Sequence, residues 1–349
     1  MTRRKTIPNA VFPLTLLLLL SAYQGAFADS LNYDEYLNRG IIFADRKEYD
    51  RAIGYYNQAI RLNPYYAEAY NNRGVVYVIK GEYTWAMADY TEAIRLKQNY
   101  TFAYNNRGLL FTEIGDYERA RNDFTMAITM DPNYAKAYRN RGEIHLRKGE
   151  YDQAILDFNQ AVRLSPGYAK AFGSRGDAYA NKGEYDKAVA DYNQAIRINP
   201  NYVEALINRG NIYYDVGYPD RAKVDYDRVI SINLNAGPDL PRAYSNRGVA
   251  YNNRGDYGKA IADYNEAIKL NPNLALAYRH RGAVYANIGE YRLAIDDFNR
   301  AIEINPNYAT AYISRGKALS YLGEYAQAQI DYHQAVRINT KYGEIYDKR

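Results

Sequence analysis

The sequence predicts an all-α solenoid, a stack of helix-turn-helix units, on three observations. The first is a fixed period of thirty-four residues. Glycine recurs at Gly40, Gly74, Gly108, Gly142, Gly176 and Gly210, slips by four residues to Gly248, and resumes at Gly282 and Gly316. Each is preceded by arginine, and twelve residues after each stands alanine, from Ala52 to Ala328. The second is punctuation: Gly81, Gly115, Gly149, Gly183, Gly217, Gly255, Gly289 and Gly323 fall where a first helix would end, and proline, as at Pro132, where a second would end. Glycine suits the left-handed residue just past a helix, and proline cannot continue a helical hydrogen-bond ladder. The third is length, 349 residues without one sustained core pattern. A period of this size marks units that bury their apolar faces only against neighbours.

Taken in order, nine units follow: 33–66, 67–100, 101–134, 135–168, 169–202, 203–236, 241–274, 275–308 and 309–342. In the third, a first helix is predicted from about Phe102 to Ile114. A second runs from about Tyr117 to Met130 and stops at Asp131-Pro132. Counting each unit from one, the third supplies Tyr104, Gly108, Phe111, Ala120, Phe124, Ala127 and Pro132 at positions four, eight, eleven, twenty, twenty-four, twenty-seven and thirty-two. The eighth supplies Tyr278, Gly282, Tyr285, Ala294, Phe298, Ala301 and Pro306. On these residues the chain from about 33 to 342 resembles the tetratricopeptide repeat family. The resemblance implies a right-handed superhelix.

The forty-one tyrosines are explained by the same period, since they gather at positions four, eleven, seventeen, twenty-four and thirty-four. They read as wedges between units rather than as a stacking surface for sugars or bases. The arginine at position seven accompanies aspartate at position twenty-three in eight units, from Asp89 to Asp331, while the first unit has Tyr55 there. A bidentate Arg–carboxylate pair in each repeat is expected, within a unit or between neighbours. Eight identical aspartates in a row are scaffold, not catalysts.

Residues 1–28 read as a secretory signal peptide. Arg3, Arg4 and Lys5 precede an apolar stretch from Ala10 to Ala22, and Ala26-Phe27-Ala28 places cleavage before Asp29. The apolar core is short for a membrane span. The expected destination is a bacterial periplasm or the cell exterior, with residues 29–32 a short linker and no membrane span after cleavage. Those three basic residues account for most of the formal +5, leaving about +2. Charges elsewhere alternate in sign, so nucleic acid is not an expected partner. The chain has no cysteine, which excludes disulfide and thiolate chemistry. His145, His280 and His333 sit in different units with no metal-ligand spacing. No phosphate loop or nucleophile elbow appears. No cofactor, metal or catalytic activity is expected.

The resemblance further implies that the first helices line a concave groove, with positions two, five, six, nine, twelve and thirteen facing inward. Position six is asparagine in Asn38, Asn72, Asn106, Asn140, Asn208 and Asn246. A side-chain amide donates and accepts, so this row could hold an extended peptide backbone; equally, it could be the consensus residue of this repeat subclass. Charge enters the groove at Arg139, Glu143, Arg147 and Asp177, and further on come Tyr214 and His280. Units six and seven are separated by an insertion at about 234–241, in which Pro241 suits the first turn of the next helix. It is either a hinge or a tolerated insertion. Residues 343–349 begin a tenth first helix and form a short cap. The functional expectation is a non-enzymatic scaffold that binds a peptide or protein partner in its groove. A setting in bacterial envelope assembly follows by family analogy. The alternatives are a self-associating structural protein and a sugar-binding adaptor in polysaccharide export.

Overall fold

The computed structural model describes residues 32–232, 237 and 239–340, and among these it consists of eighteen α-helices and no strand. The expected signal peptide and C-terminal cap lie outside the described residues, as do nearly all of the linker and half of the insertion. Helices α1 (Tyr33–Asp45), α2 (Tyr49–Leu62), α3 (Ala67–Ile79), α4 (Tyr83–Leu96), α5 (Thr101–Glu113), α6 (Tyr117–Met130) and α7 (Ala135–Arg147) belong to one compact unit, residues 1–148. The second unit, 149–349, holds α8 (Tyr151–Leu164), α9 (Ala169–Asn181), α10 (Tyr185–Ile198), α11 (Val203–Asp215), α12 (Pro219–Ile232) and α13 (Asp239–Asn253). It continues with α14 (Tyr257–Leu270), α15 (Ala275–Asn287), α16 (Tyr291–Ile304), α17 (Ala309–Tyr321) and α18 (Tyr325–Ile338).

The turn inside a repeat is set by its glycine. Gly81 adopts φ +77°, Glu82 N–H donates to the Tyr77 carbonyl at 2.8 Å, and Gly81 N–H to that of Val78 at 2.9 Å. This is the Schellman arrangement, which satisfies carbonyls orphaned at the end of α3. The first repeat lacks the glycine, and Lys47 takes the same left-handed backbone at φ +61°. Second helices that precede proline end with an extended residue, as at Asp131 before Pro132, where proline disfavours the helical region for the residue before it; Lys97 and Asn339 take nearly the same backbone angles without a following proline. At the start of α1, Asn32 and Glu35 form a reciprocal capping box at 2.9 and 3.0 Å.

Packing within a repeat is decided by position eight. A Cβ built on Gly74 would lie 2.7 Å from the ring of Tyr90, and the same holds for Gly108 against Phe124. Only glycine lets the second helix seat its position-twenty-four ring so closely on the first. That ring then meets the aliphatic residue at position ten of the following repeat: Tyr56 on Val76, Tyr90 on Leu110, Phe124 on Ile144 in the first unit, and Tyr192 on Ile212 in the second. The rings and aliphatic partners are almost fully buried, as are the alanines at positions twenty and twenty-seven.

On the far side of the insertion, α13 begins two residues before the predicted start of its repeat. Leu240 and Pro241 lie buried in its first turn. Val229 of α12 and Ala243 of α13 share one apolar cluster with Leu206 and Ile207. The residues flanking the insertion therefore keep ordinary repeat-to-repeat packing.

Candidate functional site

The Arg–Asp pairs form a three-way node. Arg73 on α3 grips Asp89 on α4 through Nε at 2.8 Å and Nη2 at 2.6 Å, and its Nη1 donates to Asn57 Oδ1 on α2 at 2.5 Å. The fork is thus within a repeat and the third bond reaches the preceding one. Arg107–Asp123, Arg175–Asp191, Arg209–Asp225, Arg247–Asp263, Arg281–Asp297 and Arg315–Asp331 repeat the fork. The third partner is always position twenty-five: Thr91, Asn159, Asn193, Asp227, Asn265 and Asn299. Burial pushes the Asp89 carboxyl above its ordinary range in spite of Arg73. A desolvated carboxylate held by a guanidinium is oriented more than it is stabilised.

The asparagine row departs from the predicted groove. Asn106 donates to Asn71 Oδ1 at 3.0 Å and Asn140 to Asn105 Oδ1 at 2.9 Å, so position six of one repeat bonds position five of the repeat before it. Asn140 is buried and is corrected from groove contact to inter-repeat strut. In the second unit the acceptor moves to position nine: Asn208 donates to Asp177 at 2.8 Å and Asn246 to Asn211 at 2.8 Å. Those acceptors also receive the buried hydroxyls of Tyr192 and Tyr226, at 2.6 and 2.9 Å. Asp177, half-buried, thus already accepts from two neighbours at the place where the sequence puts a groove charge. Arg139 bonds Glu143 at 3.0 Å along α7, Arg147 and Asn38 are exposed, and Asn72 is half-buried and accepts from Asn71 at 3.2 Å. Neither the position-five partners nor the switch to position nine was visible in the sequence, because both depend on which residues meet across thirty-one or thirty-five positions.

Beside the exposed Asn38 and Arg147, the first-helix face of the first unit carries an apolar stretch. Val75, Ile79 and Leu109 are exposed and line a groove of about 520 Å³ with Asn106, Thr112 and Glu113, and Ile41 on α1 is exposed at the equivalent position. In the second unit, α11, α12, α13 and α15 line an open-mouthed pocket of about 390 Å³ that brings together Tyr214, Asn246 and His280 from the predicted set, with Ser245, Asn211 and Leu276. The Tyr214 hydroxyl is held by Asn253. Burial, and secondarily Arg279, pull the His280 imidazole down to about 3, so it is neutral at neutral pH.

Family models match this architecture along most of the chain. Models described as tetratricopeptide repeat match residues 67–100, 241–274 and 275–308, 105–169, 298–330 and 203–235, and one described as TPR repeat matches 40–78 and 176–217. The chain belongs to the tetratricopeptide repeat family. This fold commonly mediates protein–protein interaction, and its members are generally non-catalytic scaffolds. A tetratricopeptide repeat protein from Parabacteroides merdae is 22% identical with a TM-score of 0.56, over 72% of this chain and 98% of that one. The APC/C hetero-tetramer Cut9–Hcn1 contains a chain 19% identical with a TM-score of 0.62, over 82% of this chain and 55% of that one; this chain spans only about half its length. PilF of Pseudomonas aeruginosa is 17% identical with a TM-score of 0.54, over 62% of this chain and 97% of that one. At these identities the tetratricopeptide likeness is one of fold. Comparison with curated proteins finds no match. Among the described residues of this tetratricopeptide array, no helix is long and apolar enough to cross a membrane, and no three His, Cys, Asp or Glu are grouped to hold a metal.

Proposed function

We propose that this chain is an exported, non-enzymatic scaffold that holds a peptide or protein segment on its first-helix face, in an assembly of the bacterial envelope. The observation that carries the reading is the exposed aliphatic row Val75, Ile79 and Leu109, which lines a groove beside the amide of Asn106. These side chains lie outside the buried ring-on-aliphatic clusters and keep about a third to a half of their surface open to solvent. Apolar side chains gathered around fixed polar groups are what a partner surface offers. A role without catalysis is supported by the position-twenty-three aspartates, which are spent on arginine forks. Export rests on the sequence of residues 1–28 and is checked by the N-terminus of the protein recovered from cells, expected at Asp29.

The test is in-cell crosslinking and capture with the tagged full chain beside a Val75→Asp, Leu109→Asp variant. Both sites are solvent-facing, so the helices should form in the variant, and circular dichroism checks this. A partner captured by the wild type and lost from the variant supports the reading. An unchanged set of captured proteins overturns it.

A further inference from the structure

Rungs between first helices recur at fixed places. In the first unit each joins position six of one repeat to position five of the repeat before, as Asn106 to Asn71 and Asn140 to Asn105, thirty-five residues apart. His280 and Ser245 occupy the same two positions, again thirty-five apart, on α15 and α13. They make no rung. Ser245 Oγ and His280 Nδ1 are both buried and both without a protein partner, and no other side-chain nitrogen or oxygen among the described residues is in that condition. Both residues line the pocket of about 390 Å³. Buried polar atoms are normally bonded, and one left unmet costs more than a made bond returns.

The charges around the pocket narrow what could meet them. Arg242 lines it but is bonded to Asp239 at 3.4 Å, and Arg279 Nε donates to the Tyr308 hydroxyl at 2.9 Å. Asp215 lines it from α11. Asp215 and Arg242 offset one another in the lining, with Arg279 beside them held by Tyr308, so neither a carboxylate nor an ammonium meets an unopposed counter-charge here. A neutral group escapes both penalties. A group that both donates and accepts can meet the serine hydroxyl and the neutral imidazole whichever role each takes, and a primary carboxamide carries both functions on one planar head. Leu274, Leu276 and Val249 supply apolar walls for a short aliphatic stem.

We propose that this pocket seats a primary carboxamide, the side chain of a glutamine or asparagine in the bound segment, which completes the rung that Ser245 and His280 leave open. The inference rests on the reading that the first-helix face holds a partner segment, and it names the chemistry recognised there. The carboxamide is also the group that makes this rung in the first unit.

The experiment follows the ring nitrogens of His280 by NMR in the full chain, labelled at histidine and assigned with His280→Asn. The probes are N-acetylglutamine methylamide, its glutamate and leucine counterparts, and methyl glucoside. A saturable shift with the glutamine probe is expected, with the glutamate and leucine compounds about tenfold weaker at neutral pH. Ser245→Ala, which removes a hydroxyl without a partner and should fold, is expected to weaken the glutamine probe about fivefold. Silence toward every probe would mean that only water meets these atoms and would overturn the proposal. A stronger response to methyl glucoside would overturn it in favour of a sugar site. Partner capture lost in Val75→Asp, Leu109→Asp with His280 silent removes the carboxamide alone. Capture unchanged with His280 responding removes the peptide-groove reading alone.

Discussion

Replacing Asp89 by alanine removes one member of a node that ties three helices together. Arg73 would keep its bond to Asn57 at 2.5 Å but lose both bonds of the fork, at 2.8 and 2.6 Å, from a carboxylate that is only 5% exposed. Breaking a buried ion pair by deleting one partner costs about 3–5 kcal/mol, because the remaining charge is left desolvated and unmet. The Arg73 side chain is 18% exposed. Water can therefore reach part of the guanidinium, and a loss of about 2–3 kcal/mol is expected. Replacing both residues, as Arg73→Leu with Asp89→Leu, removes charge and partner together and should cost less than the single change, about 1 kcal/mol or under. The assay is urea unfolding, with hydrogen exchange on α3 and α4 to localise the loss, since a solenoid can open at one interface while its other repeats stay folded. If the double variant is as damaged as Asp89→Ala, or the coupling in the double-mutant cycle is below about 0.5 kcal/mol, the node is not the unit of cohesion argued here.

Two helical glycines should respond oppositely to the same substitution. Gly54, exposed in α2 with no atom within 4 Å of a built Cβ, should gain about 0.5–1 kcal/mol as alanine. Gly74→Ala should lose about 1–2 kcal/mol net, because the overpacked Tyr90 ring outweighs the helical gain. Thermal melts giving the two changes the same sign would refute the steric argument. Lys47→Gly should stabilise the first repeat by about 1 kcal/mol by relieving its left-handed backbone, and an unchanged urea midpoint would count against it. His280 is held near 3 in the fold against an ordinary 6.5, so the unfolded chain takes up a proton first as pH falls. Its contribution to stability is therefore complete above pH 6.5 and lost progressively below it, by about 2 kcal/mol at pH 5. Identical pH–stability slopes for wild type and His280→Asn would refute this.

The helix pairs were legible because local signals agree with one another. The turn glycines, the prolines and the Arg–Asp covariation each fix something that a repeat decides alone. The first helix of the third repeat was expected from Phe102 to Ile114 and spans Thr101–Glu113, while the second was expected and found from Tyr117 to Met130. The partners between repeats were not legible. Asn57 and Thr91 hold the third arm of the arginines, yet position twenty-five varies between asparagine, threonine and aspartate, so no letter marks the role. The position of Asp177 in its repeat marks a groove-facing charge, but its neighbours across repeats carry no mark in the sequence; Tyr192 and Asn208 both spend bonds on it. Val76 and Leu110 at position ten carry no mark either, being ordinary aliphatics whose burial depends on the ring of the repeat before.

The division of labour among positions explains where recognition can live. Positions seven, twenty-three and twenty-five hold cohesion in the arginine nodes, and positions eight, ten and twenty-four hold it in the ring contact. Positions five, six and nine are then free to differ, provided that any buried polar atom there is met. In Asn106 and Asn140 the repeat meets it with a neighbour's carboxamide, and in Asn208 and Asn246 with a position-nine acceptor shared with a tyrosine hydroxyl. Either solution consumes groove-facing hydrogen bonds and leaves little for a ligand. Val75 and Leu109 spend none at position nine and expose apolar surface instead. Ser245 and His280 leave theirs unmet. The groove-facing asparagines are thus largely occupied with one another, and what the repeats leave unspent is the apolar surface of position nine in the second and third repeats and the two unmet polar atoms of Ser245 and His280.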